Sequence, residues 1–167
     1  MKPDSVAPGR SPAPRQDSSD TADTPHILIE EGGDGAAGLV CVRLNRPAKR
    51  NALTRAMLEQ LADIFRAFGE RADLRAVVLT GAGQAAFSAG TDIAELDGLD
   101  EAAALETARR GQDACEAIEL CPVPVIAAIN GVAAGGGCEL ALACHLRLAA
   151  THATFTLPEL NLGMIPA

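Results

Sequence analysis

The sequence predicts an α/β fold built on a parallel sheet. Two short apolar runs, Ala76-Val77-Val78-Leu79-Thr80 and Pro124-Val125-Ile126-Ala127-Ala128-Ile129-Asn130, each stop at a glycine, Gly81 and Gly131. Unbroken apolar strands of this kind are typical of parallel sheets covered on both faces, where no position needs to be polar. Segments of helical periodicity lie between and around them, and strand–helix–strand alternation implies right-handed crossovers.

Taken in order, residues 1–24 are rich in Pro, Ser and Asp and poor in large apolar groups, which predicts a disordered tail. The remainder, 25–167, is read as one core domain. His26 to Glu30 and the alternating Val40-Cys41-Val42-Arg43-Leu44 flank a stretch holding Gly32, Gly33, Gly35 and Gly38, the pattern of an antiparallel hairpin. Asn45-Arg46-Pro47 ends it. Leu53, Met57, Leu61, Ile64 and Phe68 then recur at helical spacing, so about Thr54 to Gly69 should be an amphipathic helix, with Gly69 as its stop. Asp100 to about Leu120 reads as an Ala-rich helix ending before Pro122. A further helix starts in Gly135-Gly136-Gly137 and runs through Leu140, Leu142 and Cys144, and Leu146-Arg147-Leu148-Ala149 is a short strand. No internal repeat is present.

Composition narrows the function classes. A length of 167 residues suffices for one domain with a hydrophobic core, which four Phe and no Tyr or Trp leave to Ala, Leu, Val and Ile. A formal net charge of −8 argues against nucleic acid as a partner, because such surfaces need clustered Lys and Arg. No apolar run approaches the ~20 residues of a membrane helix, and the N-terminus lacks the apolar core of a secretory signal. Five cysteines in apolar segments, without C-x-x-C, read as buried free thiols in a reducing compartment, hence a cytoplasmic chain. His26, His145 and His152 form no metal-ligand spacing with them, so no metal site is expected.

Three motifs bear on chemistry. Gly81-Ala82-Gly83-Gln84-Ala85-Ala86 fits G-x-G-x-x-A after a strand, but Phe87-Ser88-Ala89-Gly90-Thr91 follows with little helical character, and a dinucleotide site needs a helix there. Phe87-Ser88-Ala89-Gly90-Thr91-Asp92 is small and flexible enough to let a ligand approach the backbone, although a tight packing loop has the same composition. Asn130 to Glu139 contains three successive glycines at a helix start, where free N–H groups could hold developing negative charge; close helix–strand packing is the competing explanation. Glu139 closes this run, and Glu159 follows in Leu157-Pro158-Glu159-Leu160. Both carboxylates sit beside residues that expose backbone or break helices, so a fold that joins them makes an acid/base pair.

These motifs, with Arg46-Pro47, Asn51-Ala52-Leu53, Ala86 to Ile93, Pro124 to Gly131, Gly135 to Ala141 and Phe155 to Glu159, resemble the crotonase (enoyl-CoA hydratase/isomerase) family, in order, from about Val40 to Ala167. The resemblance implies a crotonase-like ββα spiral core. It implies an oxyanion hole from the backbone N–H groups of Thr91 and Gly136. Ala89, Gly90, Asp92, Ile93, Ala94 and Gly135 would line the acyl-CoA site, with Ala48 to Arg50 near the nucleotide end. Glu139 would be the general base on a water and Glu159 the donor of a proton to the α-carbon, roles that need unequal pKa values. Having both glutamates favours 2-enoyl-CoA hydration over the isomerase or thioester-hydrolase chemistry of other members. No separate cofactor is implied, since coenzyme A belongs to the substrate. Ala94 departs from a common Lys and His145 from a common Asp; His145 is read as structural. The family continues beyond the equivalent of Ile165-Pro166-Ala167 with a Gly-rich turn and a C-terminal helical region, so an incomplete core is expected. The homotrimer or hexamer of full-length members, and activity itself, come into question, and an inactive fragment or interaction protein is the alternative from another class.

Overall fold

The computed structural model describes residues 24–33, 35–163 and 165. The predicted tail, apart from Thr24, lies outside the described residues. The chain forms β1 (Ile27–Glu31), β2 (Leu39–Leu44), α1 (Arg55–Phe68), β3 (Ala76–Gly81), β4 (Ala86–Ser88), α2 (Glu101–Glu119), β5 (Val125–Ile129), β6 (Val132–Ala134), α3 (Gly136–Ala143), β7 (Leu146–Ala149) and β8 (Thr154–Thr156). A five-stranded sheet has the order β1-β2-β3-β5-β7, and a three-stranded sheet has the order β4-β6-β8. Only β1 with β2 is antiparallel; the other ladders are parallel.

The larger sheet is one face of the core. Register puts Val40, Val77 and Val125 in one row across β2, β3 and β5, and Val42, Leu79 and Ala127 in the next but one. All six are fully buried. Period-two alternation therefore sends one apolar set to the same side from three adjacent strands. Met57, Leu61 and Phe65 of α1 and Ala114 and Ile118 of α2 join the same core cluster. The helices α1 and α2 start where the sequence supplies a side-chain cap. The Thr54 hydroxyl accepts from the Met57 N–H at 3.2 Å, and Asp100 accepts from the Ala103 N–H at 2.8 Å. Gly69 caps the end of α1 with right-handed φ −62°, so it stops the helix without using glycine's left-handed freedom.

Two expectations change. Ala86–Ser88, Val132–Ala134 and Thr154–Thr156, where the sequence pattern predicts no strand, are the three strands of the smaller sheet. The covering of both sheet faces also fails at the edge: all four residues of β7 are exposed, Leu146 and Leu148 included. Apolar content within a strand reports its own hydrophobicity and not what lies across from it. The dinucleotide-like Gly81–Ala86 segment leads into β4 rather than a helix, and Asn130 stitches it as a turn by donating to the carbonyls of Gly81 and Gly83 at 3.0 and 2.8 Å.

Candidate active site

Two segments from the smaller sheet meet at one cavity. The first leaves β4 through Ala89, Gly90 and Thr91. Gly90 has φ +88°, in the region side-chain-bearing residues avoid, and a Cβ there would stand 2.7 Å from the Ala134 carbonyl oxygen. Leu53 N–H donates to the Gly90 carbonyl and Asp92 N–H to the Leu53 carbonyl, both at 2.8 Å. This bridge brackets Thr91 and does not use its N–H.

A buried polar chain fixes the segment from behind. Asn51, fully buried with φ +55°, accepts from the Arg46 N–H at 3.0 Å and donates to the carbonyls of Ala82 and Ala86 at 3.0 and 2.9 Å. Its own carbonyl accepts from the Ser88 hydroxyl at 2.8 Å, and that hydroxyl oxygen accepts from the Gly90 N–H at 3.1 Å. Arg46 donates to the Ala52 carbonyl at 2.7 Å and pairs with Asp92 at 2.9 Å. The guanidinium hydrogen bond holds the Asp92 carboxyl below the usual carboxylate range.

The second segment is the turn from β6 into α3. Gly135 takes φ +50° and ψ −127°, which favours glycine, and its N–H donates to the Thr156 carbonyl at 2.9 Å. Gly136 opens α3, so its N–H is one of the helix's orphan donors, at the positive end of the helix dipole. The three glycines divide the work that the sequence left open. A Cβ on Gly137 would lie 2.6 Å from both the Cβ and the carbonyl oxygen of Ser88, so this glycine serves packing. A Cβ on Gly135 would lie 2.6 Å from Oε1 of Glu159. One on Gly136 would meet only ordinary contacts, with the Thr91 hydroxyl at 3.4 Å and Oε2 of Glu139 at 3.7 Å.

The cavity these segments enclose measures about 370 Å³ and is lined by Gly90, Thr91, Gly135, Gly136, Glu139 and Glu159 among others. Glu139 stands in the first turns of α3, and Glu159 on the 3₁₀ turn Pro158–Leu162 after β8. The fold thus brings to one cavity two carboxylates that lie far apart in sequence. Both are half-buried, and Oε2 of Glu159 is buried with no hydrogen-bond partner in the described structure. Glu159 thus brings to the cavity wall a carboxylate with unused acceptor capacity. Burial, with smaller contributions from Glu139 and then Glu159, pushes the Cys138 thiol up. Burial and then Glu139 push Cys115, which lines the cavity, up to about 11, so it stays a neutral thiol.

Other expected residues fall as follows. Ala89 and Ile93 line the cavity. Asp92 and Ala94 do not: Asp92 faces Arg46 and caps the short turn Ile93–Glu95 by accepting from the Ala94 N–H, and Ala94 is exposed on that turn. His145 accepts from the Val125 N–H through Nδ1 at 3.0 Å, joining the end of α3 to β5, a structural contact. Sequence reasoning passed over the wall built by α2, where Ala104, Ala108, Gly111 and Cys115 face the cavity at one-turn spacing. That spacing was visible in the sequence, but small residues on a helix also signal ordinary packing. Among the described residues no helix is long and apolar enough to cross a membrane.

Comparison with known proteins gives the family. The sequence model for enoyl-CoA hydratase/isomerase matches residues 34–167. The chain is 41% identical over 128 residues to the crotonyl-CoA hydratase of Syntrophomonas wolfei, covering 77% of this chain and 49% of that protein. It is 36% identical over 141 residues to the short-chain-enoyl-CoA hydratase of Clostridium acetobutylicum, covering 84% of this chain and 52% of that one. Among solved structures, an enoyl-CoA hydratase from Bacillus anthracis superposes with a TM-score of 0.80 at 41% identity, over 85% of this chain and 54% of that one. The chain therefore spans about half the length of the relatives it matches. The matched sequence, the α/β architecture and the solved neighbours lead to one conclusion: the chain belongs to the enoyl-CoA hydratase/isomerase, or crotonase, family.

Proposed function

We propose that this site hydrates a 2-enoyl-CoA to the 3-hydroxyacyl-CoA. The observation that carries the reading is the meeting of Glu139, Glu159, Thr91 and Gly136 on one cavity. The thioester carbonyl oxygen lies at the Thr91 and Gly136 N–H groups, which hold it as it gains enolate charge. Such a donor contributes about 3 kcal/mol in the transition state. Glu139 takes a proton from water as the water oxygen bonds to C3. Glu159 gives a proton to C2 as the enolate collapses. Glu139 then holds the water's proton and Glu159 has lost its own, and proton exchange with solvent resets both. The sum is addition of one water across the double bond, with no redox change and no cofactor beyond the coenzyme A of the substrate. Hydratase-named relatives support the reaction class, and the place of Glu159 on the cavity wall with Glu139 supports a proton-transfer role.

The test is loss of the enoyl-thioester absorbance of crotonyl-CoA on addition of the protein, beside Glu139→Gln and Glu159→Gln. Each variant is expected to lower kcat by about 10² to 10⁴ with its melting temperature little changed. Equal rates in wild type and both variants would end the proposal. Turnover of a 3-enoyl-CoA, or thiol release, in place of hydration would reassign the site to isomerisation or thioester hydrolysis.

A further inference from the structure

We infer that Gly111, on the cavity side of α2, is a specificity-determining position that makes room for an acyl chain longer than the four-carbon crotonyl group. The inference rests on the acyl-thioester reading of the site. Gly111 is the only described glycine beyond the first turn of a helix. Glycine there costs about 1 kcal/mol relative to Ala. Two reasons usually account for such a glycine, and neither holds. Its φ is not positive, and a Cβ at this position would meet nothing within 4 Å. The fold itself does not need the glycine, but the cavity gains from it, because Gly111 is part of the wall.

The neighbours extend the same pattern. Ala104, Ala108 and Cys115 lie on the same helix face and also line the cavity. Thr107 lines it too, with its hydroxyl turned back to the Ala103 carbonyl at 2.8 Å. The wall that α2 contributes carries no charge and no large side chain, and Leu53, Leu58, Leu96 and Leu99 also line the cavity. Such a surface offers an acyl chain apolar contact without hydrogen bonds. Each methylene it buries improves binding by roughly fourfold. A leucine at 111 would occupy the space those methylenes need.

The full 167-residue chain, Gly111→Ala and Gly111→Leu are titrated calorimetrically with butyryl-CoA and octanoyl-CoA, and assayed with crotonyl-CoA and 2-octenoyl-CoA. Wild type is expected to bind octanoyl-CoA at least about tenfold tighter than butyryl-CoA. Gly111→Ala should lower that ratio and Gly111→Leu should lower it further. Both replacements favour helix, and Gly111→Ala adds one methyl into open space, so it tests the trend even if the leucine variant misfolds. No preference for octanoyl-CoA in wild type, no binding of either thioester, or one ratio in every variant would overturn the inference. Graded binding with no turnover of either enoyl-CoA would end the hydration reading and leave the assignment of Gly111 standing.

Discussion

The segment that carries Thr91 and the turn that carries Gly136 meet at the same cavity, but they are built from opposite materials. The first is held by side chains. Asn51 grips Arg46, Ala82 and Ala86, its carbonyl holds Ser88, and Ser88 holds the Gly90 N–H. The second is held by absent side chains, with Gly135 in a conformation favouring glycine and Gly137 pressed against Ser88. Ser88, itself fully buried, serves both: its hydroxyl orients one segment and its Cβ and carbonyl set how closely the other approaches. A hydrogen-bonded support fails when an atom is removed, and a close-packed one fails when an atom is added.

The largest effect should come from removing an atom group on the first side. Asn51→Ala strips the partner from the buried Arg46 N–H and from the part-buried Ala82 carbonyl, leaves the Ala86 carbonyl to Asn130 alone, and places alanine at φ +55°. Orphaned buried groups and a left-handed alanine together should cost about 3 kcal/mol or more in denaturant unfolding. A loss below 1 kcal/mol would mean that the polar chain does not hold this segment. On the other side, Gly137→Ala drives a methyl into Ser88. The net cost should be about 2 kcal/mol, overpacking being partly offset by alanine's helix preference. A melting temperature at or above that of wild type would show that the contact can relax, and the contrast between the two supports would fail.

A smaller effect separates the two sides by pH. Asp92 anchors the first segment only, and its carboxyl lies below the ordinary value of 3.8, chiefly through the hydrogen bond from Arg46. A depressed folded-state pKa means that the unfolded chain binds the proton more readily. The pair's contribution, about 1–2 kcal/mol, is therefore complete above the ordinary carboxylate value and is lost as pH falls through the lower folded one. Glu30 and Asp73 are lowered too by Arg43 and Arg71 on the exposed surface, so the whole chain's acid slope mixes several groups. The difference between wild type and Asp92→Asn isolates the one. It should shrink steadily below about pH 4 and be level above about pH 5. A difference that does not change with pH would assign the loss to packing.

The same division explains what could be read from the sequence. The hairpin, α1, α2 and the two apolar runs announce themselves within a few residues through alternation, helical spacing and the caps Thr54 and Asp100. The strands β4, β6 and β8 have three residues each, too few to display a period, and parallel partners distant in sequence define them. That Glu139, Glu159, Thr91 and Gly136 share one cavity was legible because glycine and proline mark their surroundings and because the motifs resemble a family. Asp92 was read as a ligand contact, and it faces Arg46, 46 residues earlier. No local pattern reveals such a partner. The glycine triplet was visible as a unit, but only the atoms facing each Cβ position separate conformation, open space and packing among its members.

That separation yields the smallest change in stability and the sharpest test of the comparison. Gly136 has no positive φ, and a Cβ there meets nothing closer than the Thr91 hydroxyl at 3.4 Å. Gly136→Ala should therefore leave unfolding within about 0.5 kcal/mol of wild type, as at sites without strain or overpacking. Its methyl would stand near the Thr91 hydroxyl and Oε2 of Glu139, beside the N–H groups proposed to hold the thioester oxygen. Hydration of crotonyl-CoA should fall by about 10²-fold, the cost of disabling one oxyanion donor. Gly137→Ala, one residue along, should lower the melting temperature first and lose activity as a consequence. If the two alanines behave alike, in stability and in rate, the glycines form one packing device, and the oxyanion role of Gly136 falls with that result.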